Sequence, residues 1–159
     1  MENSTVLLWI GILAVFVGFR TFLPLAMLSF FVWRQELPMP PGHWRTIGHM
    51  WVFIVLAVLA LLEILADKWR GMPNRTSPTG LVPRFLVGGF CGLLLAVSTY
   101  ISWWQGAAVG ALLAVLGASI GYSLRQYFRE ATRSQDFYIA VAEDIVTFLG
   151  TWWVLSHLD

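Results

Sequence analysis

The side chains in this sequence that could do chemistry are few, and most sit where water is scarce. Glu63 and Asp67 lie four residues apart, so on a helix they stack on one face, with Lys68 directly after them. Glu143 and Asp144 are adjacent, and Arg20 lies deep inside a long apolar run, four residues ahead of Pro24. Placing an ionised group at the centre of a membrane helix costs about 2.5 to 3.5 kcal/mol even on the gentler insertion scales, so such groups need a partner or water. One reading follows: Glu63, Asp67, Glu143 and Asp144 bind a cation or relay protons, with Arg20 in the same site and Lys68, Arg84 and Arg125 as charge partners. The other reading is structural, each acid pairing with an arginine to clip two helices together.

Other chemistry is poorly represented. His43 and His49 are six apart with no cysteine or acid at metal-ligand spacing, which favours interfacial histidines over a metal site. The sequence holds no Gly-rich phosphate loop, no His-Glu-x-x-His helix and no nucleophile set beside a base. Cys91 is the only cysteine, which excludes an internal disulfide and fits a small packing residue. The expectation is a protein that is not an enzyme, with no metal and no cofactor.

The elements that hold these residues are set by composition. Hydrophobic residues make up 58% of the chain and charged ones only 12%, with mean hydropathy +0.71, far more apolar than a soluble core needs. Net charge is only +1 and the basic residues are scattered between apolar runs, which sets nucleic acid aside. The expected fold is all-α, a single integral membrane domain over 1–159 with five transmembrane spans at about 5–33, 50–67, 84–102, 106–127 and 137–155. The lipid bilayer is then the first partner, with an ion or proton and a second copy of the chain as further candidates.

The first run is too long for one straight crossing. Pro24 cannot donate to the carbonyl of Arg20, so the run is expected to kink or break there, or to be re-entrant. Gly88 and Gly92, then Gly106 and Gly110, then Gly117 and Gly121 repeat at four-residue spacing, the pattern that lets helices approach closely. They predict a tight hairpin of the third and fourth spans, with dimerisation as the other use. Val17-Gly18-Phe19-Arg20 and Ile120-Gly121-Tyr122 with Arg125 give a weak hint of an inverted repeat.

Lys68, Arg70, Arg75 and Arg84 flank the second connector and Arg125, Arg129 and Arg133 the fourth, against Arg34 and Arg45 at the first. The positive-inside rule makes the second and fourth connectors cytoplasmic. With five spans the N-terminus is then cytoplasmic and the C-terminus outside; a re-entrant first segment moves the N-terminus outside. Trp33, Trp44, Trp51, Trp103, Trp104, Trp152 and Trp153 fall at segment ends on one face, an interfacial aromatic belt.

Gly18-Phe19-Arg20-Thr21-Phe22-Leu23-Pro24-Leu25, Glu63-Ile64-Leu65-Ala66-Asp67-Lys68, Pro73-Asn74-Arg75-Thr76-Ser77-Pro78 and Ala142-Glu143-Asp144, in that order, resemble the bacterial membrane-protein family designated domain of unknown function 4126. The sequence departs from the family pattern where a lysine is frequent late in the fourth span, here Arg125, and in lacking an Asn-Pro before the last span. The resemblance implies a helical protein of the bacterial inner membrane and no particular activity. Two functions are carried forward: an ion- or proton-coupled transporter or channel-like protein for a small solute, or a non-transporting scaffold or assembly factor.

Overall fold

The computed structural model describes residues 2–66, 78–132 and 136–158. Among them the chain forms six α-helices and no strand: α1 (Asn3–Phe19), α2 (Phe22–Trp33), α3 (Met50–Ala66), α4 (Pro78–Ser98), α5 (Trp103–Thr132) and α6 (Asp136–Ser156), with a 3₁₀ turn at His43–Gly48. Three of these, α4, α5 and α6, contain stretches long and apolar enough to cross a membrane, and α1, α2 and α3 are shorter apolar helices.

The long first run, expected to kink or break near Pro24 or to be re-entrant, is two helices. α1 has 17 residues and α2 has 12, so at a rise of about 1.5 Å per residue neither reaches across a hydrocarbon layer of roughly 30 Å. Their directions differ as well. Trp9 packs on Trp153 and His157, Phe16 lies against Gly150 and Arg20 meets Asp144, so α1 descends antiparallel to α6. Phe31 then packs on Trp152, so α2 climbs back parallel to α6. The first segment is therefore a re-entrant hairpin with its tip at Arg20–Thr21.

The five expected spans therefore become three helices long and apolar enough to cross, α4 to α6, and three shorter apolar helices, of which α1 and α2 form the hairpin. The start of α1 and the end of α6 lie on one side of the bundle, so the topology with ends on opposite sides does not hold. The break expected near Pro24 is present, at Arg20–Thr21, but Pro24 is not its hinge. Arg20 is already extended (φ −135, ψ 119), and Pro24 sits in the first turn of α2, where a missing N–H breaks no helical bond. Had the helix run through, the Arg20 carbonyl would have lacked its donor.

Glycines set the spacing of the remaining layers. Gly92 lies against Gly106, and Gly88 against Gly110 and Ala114, which draws α4 and α5 into an antiparallel hairpin at backbone contact. The other glycines of α5 serve α1: Gly117 faces Val15 and Gly121 faces the Phe19 ring. Since Gly11 meets Val109 and Leu113 earlier in both helices, α1 and α5 run parallel. Parallel helices are not related by inversion, so the inverted repeat expected between Val17–Arg20 and Ile120–Arg125 is not present. The α4–α5 turn comes at 99–102, slightly earlier than expected, with Tyr100 in the left-handed region (φ 58).

Candidate functional site

The hairpin tip lies inside the bundle, where a broken helix leaves backbone groups that water cannot reach. On the α2 side, the N–H groups of Thr21 and Phe22 donate to the two oxygens of Glu63 at 2.8 and 2.9 Å. On the α1 side, the carbonyl of Gly18 accepts from Nε of Arg84 at 2.9 Å, and Nη1 of Arg84 also donates to the carbonyl of Gly80 at 2.6 Å. Glu63 comes from α3 and Arg84 from α4, so two other helices cap the two ends of the break.

The charges match the backbone dipoles. An α-helix carries partial positive charge at its N-terminus and negative charge at its C-terminus. The Glu63 carboxylate meets the positive end of α2, and the Arg84 guanidinium meets the negative end of α1. The Arg20 side chain leaves between them and forms an ion pair with Asp144 of α6; Arg20 is 1% exposed, Asp144 16% and Arg84 8%. Three other helices, α3, α4 and α6, are thus tied to the tip of the hairpin.

Glu143, beside Asp144, contributes elsewhere. It lines a cavity of about 290 Å³ between α5 and α6, with Phe19, Gly121, Arg125 and Phe128 among the other walls. Its backbone carbonyl accepts from the Thr147 hydroxyl at 2.8 Å. A second cavity, about 360 Å³ and walled by apolar side chains including Met27, Phe53 and Trp152, lies among α2, α3 and α6.

Of the side chains singled out in the sequence, Arg20, Glu63, Arg84 and Asp144 converge on the tip, and Glu143 and Arg125 border the adjoining cavity. Asp67 and Lys68 lie outside the described residues. Among the described residues no group of three or more His, Cys, Asp and Glu side chains is placed to hold a metal ion. Sequence reasoning missed the backbone members: the Gly18 carbonyl and the Thr21 and Phe22 amides. Gly18 and Pro24 flanking Arg20 were the available signal, since together they weaken the helix on both sides of that residue.

A bundle of apolar helices around a re-entrant hairpin whose tip is held by buried charges defines an α-helical membrane-type protein. The chain belongs to the family described as Domain of unknown function (DUF4126), whose model matches residues 6–157. Neither a curated protein nor a solved structure matches the chain significantly.

Proposed function

We propose that the chain is an ion- or proton-coupled transporter of a small solute in a bacterial inner membrane, with the α1–α2 hairpin as its moving element. The observation that carries this is the pair of caps at the tip. Discontinuous helices that end inside a bundle are a recurrent way of building transport sites, because their ends present oriented backbone dipoles. Here those ends are satisfied by Glu63 and Arg84, side chains of other helices. A proton or cation meeting Glu63 weakens its hold on Thr21 and Phe22 and frees the hairpin to move; Arg20 and Asp144 form the second latch.

Orientation follows from the basic residues. The connector from α3 to α4 carries Lys68, Arg70 and Arg75, and the sequence around the α5–α6 junction carries Arg125, Arg129 and Arg133. The positive-inside rule makes that side cytoplasmic, so the start of α1 and the end of α6 face outward. No catalytic role is part of this reading.

A rival reading, a scaffold or assembly factor whose charges are permanent clips, draws support from the mutual satisfaction of Glu63 with the α2 amides. Site-directed labelling separates the two. Thr21→Cys in a Cys91→Ala background, reconstituted in oriented vesicles, is treated with a membrane-impermeant maleimide from each side. Transport predicts reaction that Glu63→Gln accelerates at least several-fold. A residue inert from both sides, with and without Glu63→Gln, leaves only the scaffold.

A further inference from the structure

A third cavity, of about 480 Å³, lies at the opposite end of α2 from the tip, walled by Val32, Trp33, Gln35, Arg45, Gly48 and His49. Its location is fixed by two anchors. The Ser29 hydroxyl donates to the Ile47 carbonyl at 2.6 Å, tying α2 to the 3₁₀ turn, and Val32 fills the space where a side chain on Gly48 would stand. Unlike the apolar cavity among α2, α3 and α6, this one has several polar walls.

Two features point to a ligand, a set of donors and a tryptophan beside it. Arg45, His49 and Gln35 are exposed and make no side-chain hydrogen bond or ion pair among the described residues, although the neighbouring Arg34 pairs with Glu36 at 2.9 Å. Arg45 therefore brings to the cavity a positive charge that no acid among the described residues offsets. Gln35 lines the cavity from an unusual backbone conformation. It follows α2 in the left-handed region (φ 63), where its N–H donates to the Val32 carbonyl and the Glu36 N–H to the Phe31 carbonyl. This is the helix-ending turn that favours glycine, and a residue with a side chain is strained there. Trp33, half exposed on the same wall, belongs to the belt of tryptophans at headgroup depth.

We propose that Arg45, His49 and Gln35 bind a phosphate oxyanion at this membrane surface, carried by a phospholipid headgroup or by a small phosphorylated solute. An arginine fork, an imidazole N–H and an amide N–H are complementary to tetrahedral phosphate oxygens, and a tryptophan at the same wall suits the boundary between headgroup and acyl chain.

Native mass spectrometry and calorimetric titration of the full chain in neutral detergent test this with two probes, short-chain phosphatidylglycerol and inorganic phosphate. Wild type is expected to bind one equivalent of the lipid, and Arg45→Ala with His49→Ala to weaken that binding at least about tenfold, as loss of charge-assisted bonds implies. Binding of the lipid alone assigns a headgroup site, and binding of inorganic phosphate as well assigns a site for free oxyanions; both support the proposal when the double variant loses them. Gln35→Gly guards against misfolding, since it relieves the strained turn. It should melt about 2 °C higher or more and still bind several-fold more weakly. Absence of binding by either probe, or affinities unchanged in both variants, overturns the proposal.

Discussion

Arg20 and Asp144 form an ion pair between the tip of the re-entrant hairpin and the last helix, with the guanidinium almost entirely withdrawn from solvent. Removing one partner of a buried pair strands the other charge, which is far more costly than replacing both. Asp144→Asn is therefore expected to destabilise the protein by about 3 kcal/mol. The double variant Arg20→Met, Asp144→Leu should lose less than either single change. Reversible unfolding of wild type, Arg20→Met, Asp144→Leu and the double variant in mixed micelles measures this, and additive losses would count against a coupled pair.

Glu63 accepts two backbone amides, and glutamine can replace only one acceptor while presenting an amine to the other N–H. Glu63→Gln should cost about 1 to 3 kcal/mol and speed hydrogen exchange selectively at Thr21 and Phe22. Exchange at the middle of α2 should change much less, which distinguishes loss of the cap from general loosening.

The close approaches of glycine are unforgiving because backbone stands opposite. A Cβ on Gly18 would meet the Ala114 carbonyl and the Ala118 amide, and one on Gly92 would meet the Gly106 carbonyl. Gly18→Ala and Gly92→Ala are each expected to destabilise by about 1 to 3 kcal/mol, measured as lowered melting temperature in detergent. Gly42 has open space around it and a φ of 121, so Gly42→Ala should act through backbone strain alone, by about 1 to 3 kcal/mol.

Pro24 provides a contrasting outcome. Because the break precedes it and its missing N–H lies in the first turn of α2, Pro24→Ala should change stability by less than about 1 kcal/mol. Cysteine-labelling patterns along α1 and α2 should stay as in wild type. A straightened, membrane-crossing first segment in that variant would contradict the hairpin.

Apolar composition alone indicated a helical membrane protein, and the cost of buried charge marked Arg20, Glu63, Glu143 and Asp144 as residues to follow. What hydropathy could not supply was direction. Residues 5–33 read as one long apolar run because a turn built from Arg20 and Thr21 interrupts the hydrophobicity for only two positions. The antiparallel return is set by contacts with α6, which lie far along the chain. The sequence left the acids either clustered together or each clipped to an arginine; the structure pairs Asp144 with Arg20 but joins Glu63 to backbone amides, partners without a side-chain signature. The cavity beside Gln35 was equally hidden, since a glutamine in a left-handed turn looks like any other polar residue following a helix.

The Glu63 bonds to Thr21 and Phe22, 42 and 41 positions away, also impose an order on biogenesis. A nascent hairpin emerging from the ribosome exposes unsatisfied amides and a bare guanidinium until α3 and α6 have been synthesised. The tip can therefore settle into its final contacts only once these downstream helices are in place, so the first segment made is among the last to be completed.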